Sequence, residues 1–174
     1  YAIGSLLDTI EIIDWTITSD TFMVGYNLSL FNDSIYYVSV RSLDSALNVS
    51  TIARSNGLTV DTQRPTSGIV YDGVSTDEDW TNSIETLSGG WTGFYDEETG
   101  IRNYDYCIGT SPYSDNVIEW EDVGLDTSFI QNNLSLDNGI RYYITIRAFD
   151  MAENIRISVS DGIIVDNTAP IISN

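Results

Sequence analysis

Along this chain apolar and polar residues trade places at every second position, in short runs separated by Gly, Asn, Asp and Ser. The clearest run is 141–149, RYYITIRAF. Tyr142, Ile144, Ile146 and Ala148 fall on one face of it, and Tyr143, Thr145 and Arg147 on the other. A period of two is that of a strand with one side buried. No run of about 11 residues carries the 3.6 period of a helix. Further strands are expected at 69–71, at 83–94 with Leu87 and Trp91 inward, and at 102–109 with Tyr104, Tyr106 and Ile108 on one face. The remaining ones are expected at 117–120, 127–130 and 155–165, the last broken at Asp161-Gly162, where Gly admits a bulge. Turns fall at 96–100 and 151–154. Seven short strands in about 100 residues predict an all-β, two-sheet sandwich.

The pattern occurs twice. Residues 36–44 read YYVSVRSLD and residues 142–150 read YYITIRAFD. Residues 1–5 (YAIGS) return as 106–110 (YCIGT), 27–30 (NLSL) as 133–136, and 57–65 (GLTVDTQRP) as 162–170 (GIIVDNTAP). Self-similarity at this spacing means tandem domains. The expected division is 1–65 for the C-terminal part of one repeat, 66–170 for a complete repeat, and 171–174 for the start of a further one. Pro65 and Pro170 end the copies: proline has no N–H, stops pairing and stiffens the joint. The first copy begins at its third strand and has no counterpart of 66–105. Residues upstream are expected to complete its sandwich, with strand donation from another segment as the alternative.

The stretch Leu136-Asp-Asn-Gly139-Ile-Arg-Tyr142 resembles the Leu-x-x-Gly-x-x-Tyr corner of fibronectin type III domains. The following Tyr-x-Ile-x-Ile-x-Ala resembles their sixth strand, and Trp91 their core Trp on the second. The Tyr-x-Ile-Gly-Thr stretch, the Ala-x-Asp-x-Ala-x-Asn hairpin and the Val-Asp-x-Thr-x-Pro linker are similar to fibronectin-like repeats of large secreted and cell-surface proteins. The resemblance covers the whole chain. It implies tandem Ig-like sandwiches in which a Tyr ring fills the core while its hydroxyl pins the preceding loop. The first copy has Asp33 where the second has Gly139, which questions the turn there but not the fold.

Charge narrows the function classes. The net charge is −19, with seven Arg, no Lys and no His. Residues 1–65 carry net −4 and residues 66–174 net −15. Such a chain lacks the basic face that phosphate backbones or anionic lipids require, so no nucleic-acid partner is expected. No apolar run approaches the roughly 20 residues of a membrane span. A strongly acidic surface suits a salty or calcium-containing medium, where self-repulsion is screened. Nothing in the sequence explains the absence of Lys. Without His there is no Ser-His-Asp triad, and with one Cys there is no internal disulfide and no Cys/His zinc site. Cys107 reads as a small core residue, standing where the other copy has Ala2.

Carboxylates remain. Asp77-Glu-Asp79, Asp96-Glu-Glu98 and Glu119/Glu121/Asp122 form loop clusters, but a sandwich offers no deep cleft in which two acids would work as a glycosidase pair. The chain is therefore expected not to be an enzyme. Calcium is the candidate cofactor, since hard cations take six to eight oxygens from carboxylates and carbonyls in loops. Asp61, Asp96, Glu97, Asp150, Asn154 and Asp166 are its candidate ligands near the domain joints. The competing role is the forming of turns, Asp150 capping its own hairpin. Candidate glycosylation sites are the Asn-x-Ser sequons at Asn27, Asn32, Asn48 and Asn133. Trp15 and Trp120 hold equivalent places and are expected to share a packing role; Trp80 is expected to pack rather than to stack on a sugar.

The function these readings converge on is a non-catalytic, extracellular structural or adhesive repeat, a semi-rigid spacer in a surface filament, coat or adhesin. Its partners would be neighbouring repeats, other subunits of a surface assembly, or glycans. The alternative is a carbohydrate-binding or accessory module of a secreted multidomain enzyme.

Overall fold

The computed structural model of the chain describes residues 1–5 and 11–172; of the expected third copy at 171–174, the last two residues lie outside them. The described residues hold thirteen strands and no helix. They divide into two compact units, 1–62 and 63–174.

The first unit has one sheet. Strand β2 (Ser34–Val40) pairs antiparallel with β1 (Ala2–Gly4), β3 (Ala53–Arg54) and β4 (Leu58–Val60). Isolated bridges join Ile3 to Ile13 and Leu43 to Val49. Ala2, Ile3 and Tyr36 are buried.

The second unit is a two-layer sandwich. One sheet is β5 (Ile69–Asp72), β7 (Leu87–Thr92) and β10 (Ser128–Gln131), in the order β10-β7-β5 and antiparallel throughout. The other runs β6 (Trp80–Thr81), β13 (Ile163–Val165), β11 (Arg141–Asp150), β8 (Ile101–Gly109), β9 (Ile118–Gly124), with β12 (Ile155–Val159) also on β11. Val70, Leu87 and Trp91 from the first sheet meet Tyr104, Tyr106, Ile108, Tyr142, Ile144, Ile146 and Ala148 from the second in one core. The inward faces are those that alternation marks. Trp91 lies edge-on to Tyr104 at 5.6 Å between ring centres, and Tyr106 stacks on Phe129 at 3.8 Å. Strand order, sheet membership and the buried Trp make this an Ig-like, fibronectin III-like sandwich.

The expected strands appear; the one expected at 117–120 runs from Ile118 on to Gly124, and three larger differences stand out. The second begins at Leu87 rather than 83, because the Ser83 hydroxyl accepts from the Glu85 and Thr86 N–H groups and turns the backbone there. The last is two strands, β12 and β13, parted at Gly162, whose φ is +92°. Strand β6 was not foreseen. It is two residues long and pairs parallel to β13, too short for any period to reveal. It also corrects the expectation for Trp80, which is 61% exposed on that edge strand.

The corner forms in both copies. The Tyr142 hydroxyl accepts from the Asp137 N–H at 2.8 Å, and the Tyr36 hydroxyl from the Phe31 N–H at 3.0 Å. Gly139 sits at φ +79° with its N–H on the Val165 carbonyl at 2.7 Å. Asp33 takes φ +56° and donates to the Val60 carbonyl at 2.8 Å. The doubt raised by Asp33 is thus removed: Asp is one of the few residues with a side chain that visits the left-handed region at small cost.

Candidate functional site

Acidic side chains organise the loops of both units. In the second, Asp150 ends β11 with its carboxylate fully buried. Its Oδ1 accepts from the Ala152 and Asn154 N–H groups at 2.8 and 2.9 Å, and its Oδ2 from Asn154 Nδ2 at 2.9 Å. Glu153 completes the turn at φ +70°. In the first unit Asp44 does the same, accepting from Ala46 N–H, Asn48 N–H and Asn48 Nδ2 at 2.9, 2.8 and 2.8 Å, with Leu47 at φ +68°. These bonds, the Asn48 side-chain amide first, hold the exposed Asp44 carboxyl below its ordinary range. The Asp-x-Ala-x-Asn sequence is therefore a turn-building unit: one carboxylate ties down the backbone and the Asn that closes it.

Of the candidate calcium ligands, Asp96 and Asp150 come together, with carboxylate oxygens within 4.8 Å of each other. Asp96 is buried, and its Oδ1 accepts from Thr99 N–H at 2.8 Å and Gly100 N–H at 3.1 Å, holding the 96–100 turn. Asn154 closes the adjacent hairpin. Glu97 is exposed, and among the described residues neither it nor Asp166 belongs to a cluster of three acids. The Asp166 Oδ1 accepts from the Thr168 N–H at 3.0 Å, a turn within the linker sequence. Asp61 lies in the first unit, directly after β4.

A second acidic group joins Asp77 to Asp72 and Asp161, acids that no spacing in the sequence connects. At the extremes they stand 89 positions apart, Asp72 at the end of β5 and Asp161 at the break between β12 and β13. The one local sign was the repeated Asp-Gly pair at 72–73 and 161–162.

The sequons differ. Asn27 and Asn133 are exposed at φ +55° and +60°, equivalent positions in the two copies. The Asn32 Oδ1 accepts from Thr62 N–H at 2.6 Å, and its counterpart Asn138 accepts from Asn167 N–H at 2.8 Å. Both side chains hold the start of a linker. Asn48 spends its amide on Asp44.

Trp15 and Trp120 do share a role. The Arg41 guanidinium lies 4.0 Å from the Trp15 ring centre and the Arg147 guanidinium 3.8 Å from that of Trp120. Each is a cation–π stack made by an Arg of the doubled motif. Arg147 also pairs with Asp105 at 2.6 Å, both partly buried. Cys107 is fully buried, as expected of a core residue. Burial pushes its thiol up to about 11, so the thiolate is scarce at neutral pH.

No family model matches the chain, and no curated protein does. Among solved structures, the chain is similar to the FN1–FN3 domains of chicken CNTN1, at 19% identity and a TM-score of 0.40, over 76% of this chain and 44% of that one. It is also similar to domains A168–A170 of titin, at 16% identity and a TM-score of 0.43, over 77% of this chain and 41% of that one. The chain thus spans less than half the length of the solved structures it matches. The fold assignment rests on the strand order and register described above.

Proposed function

We propose that this chain is a stretch of a tandem array of fibronectin III-like repeats, a non-catalytic structural or adhesive module that acts outside the cell as a semi-rigid spacer. The observation that supports this is the depth of the duplication. Corner, hairpin, cation–π stack and pairing register all recur between the copies: Ala2↔Ser39, Ile3↔Val38 and Gly4↔Tyr37 in one, Cys107↔Thr145, Ile108↔Ile144 and Gly109↔Tyr143 in the other. What is duplicated is scaffold, including the side chains that tie linkers down.

The linker is short between its fixed points. Thr62 is held by Asn32 within the first unit. In the second, the Pro65 carbonyl accepts from Arg156 Nε at 2.8 Å, and the Thr66 N–H donates to the Tyr95 carbonyl at 2.7 Å. Only Gln63 and Arg64 stand between, which favours a stiff joint. Small-angle scattering combined with NMR relaxation tests the reading. A spacer gives one extended particle with correlated tumbling; two units tumbling independently would sink it.

A carbohydrate-binding role has one observation in its favour, the exposed indole of Trp80 on an edge strand. Glycan binding lost in Trp80→Ala, with the melting temperature kept, would select that reading.

A further inference from the structure

The cluster of Asp72, Asp77 and Asp161 is independent of the scaffold role, and it has a feature that ordinary surface acids lack. Asp72 ends β5 with no exposure to solvent. Its Oδ2 accepts from the Gly162 N–H at 2.9 Å, and its Oδ1 is buried with no hydrogen-bond partner. A buried carboxylate oxygen left unpaired costs a substantial part of its hydration. Two more carboxylates, both exposed, bring an oxygen each to within 4.8 Å of Asp72 and of one another. Arg141 stands beside the cluster, its Nη1 donating to the backbone carbonyls of Asp161, at 3.1 Å, and of Gly162 rather than to a carboxylate. Glu78 and Asp79 in the same loop add further negative charge.

The loop is built to hold this arrangement. The Asp77 Oδ1 accepts from the Asp72 N–H at 3.0 Å, and the Glu78 N–H donates to the Asp72 carbonyl at 2.8 Å, so residues 73–78 return onto the strand end they left. Gly73 makes the return possible at φ +136°, where an added Cβ would stand 2.4 Å from the Thr76 carbonyl oxygen. Asp161 comes from the break between β12 and β13; beside it the Ser160 hydroxyl accepts from the Ile144 N–H at 3.0 Å and keeps its own proton to favour the Asp72 carboxylate.

We propose that Asp72, Asp77 and Asp161 form a calcium site that joins the loop after β5 to the break between β12 and β13. A calcium ion binds oxygens at 2.3–2.6 Å, so oxygens up to about 5 Å apart can share it. Asp72 is the floor, and Asp77 and Asp161 form a solvent-open mouth that supplies an entry path and room for water ligands. Burial raises the Asp72 carboxyl to about 6, with Asp77 and Asp161 adding to the rise against the pull of Ser160 and Gly162. A bound dication reverses that penalty. The chemistry is oxygen-only and flexible, which suits calcium at the affinity of extracellular modules, about 10⁻⁴–10⁻³ M.

The test uses the full chain, titrated with calcium chloride by calorimetry and followed by melting temperature and amide exchange. The native chain should bind calcium in that range, melt higher with it, and gain protection at 73–79 and at the Gly162 amide. The double variant Asp77→Asn/Asp161→Asn changes only exposed side chains, so it should fold; its exchange protection at these segments should need at least tenfold more calcium. Asp72→Asn should lose the calcium-dependent rise in melting temperature. The proposal is overturned if the native chain shows no calcium response up to 10 mM, on the order of ten times the weakest affinity expected. It is equally overturned if the double variant responds as the native chain does, or if Asp72→Asn keeps the native rise. Those last two results would place any calcium at other acids.

Discussion

The same sequence motif sits in two different settings within this chain, and the setting decides what it stabilises. In the second unit the inward face of β11 meets a facing sheet: Tyr142, Ile144, Ile146 and Ala148 are 0–3% exposed. In the first, the same face of β2 meets none among the described residues, and exposure climbs from 5% at Tyr36 to 49% at Val40. The segment at 22–25, which aligns with β10, forms no strand, and Phe22 and Val24 are exposed. In the second unit β10 pairs only with β7. No counterpart of β7 lies among the described residues of the first unit, so the backbone at 22–25 has no ladder there to join, whatever its propensity. The polar devices recur all the same: corner, hairpin cap and linker anchor have nearly equal distances in both copies. Local hydrogen bonding is thus carried by the repeat itself, whereas burial depends on the opposite layer.

The sharpest way to break this comparison is to delete equivalent side chains. Ile146→Ala removes a fully buried side chain and should cost about 2–5 kcal/mol. Val40→Ala, at the matching position, should cost no more than about 0.5–1 kcal/mol, since the side chain is half exposed. Urea unfolding with amide exchange resolved by unit measures both. Equal costs would mean that the first unit's β2 face is covered in solution.

Acid sensitivity should also separate the units. Asp72 has no acidic counterpart in the first, where the Gly57 N–H instead reaches the Ser55 hydroxyl at 3.4 Å. A carboxyl raised to about 6 in the folded state keeps its proton to higher pH there than in the unfolded chain. Between pH about 4 and about 6 the folded state binds more protons, so this group's contribution falls as pH rises through that window. Above it the full cost, roughly 3 kcal/mol, is present. In chelator, Asp72→Asn should stabilise the second unit at pH 7 and remove the slope between pH 4 and 6. An unchanged slope would assign it to other acids.

The corner should give little contrast. Tyr142→Phe takes the acceptor from the Asp137 N–H and should cost about 0.5–1.5 kcal/mol. Tyr36→Phe should cost about the same, because Asp137 and Phe31 are both exposed and water can replace either lost bond. Unfolding free energies of the two variants, compared by unit, check this.

Periodicity made most of the fold legible. Alternation in 141–149 identified the inward face residue by residue, and Leu87 and Trp91 were placed correctly in the core. Duplication identified the paired Trp15 and Trp120, although not the Arg that each stacks against. What escaped has a common cause. Strand β6 is a parallel pairing of two residues, and the Asp72 group assembles acids from β5, the following loop and the β12–β13 break. Neither has a period or a local spacing, because both are made by strands distant in sequence. Asp33 escaped differently: a family pattern asking for Gly was read as a need for Gly, when the need is for positive φ.

That distinction is open to a fine test at Gly139. An added Cβ there meets nothing within 4 Å, so any penalty comes from the backbone alone. Gly139→Ala places an ordinary side chain at φ +79° and should cost about 1 kcal/mol. Gly139→Asp imports what the first copy already uses at φ +56°, and should cost several tenths of a kcal/mol less than the Ala change. The difference is small, but its sign is diagnostic. If Asp and Ala cost the same, local hydrogen bonding by the Asp side chain contributes nothing at this corner, and Asp33 survives only because its turn tolerates strain. If Asp is the milder change, the two copies solve one backbone requirement in two chemical ways, with no side chain in one and a self-bonding side chain in the other.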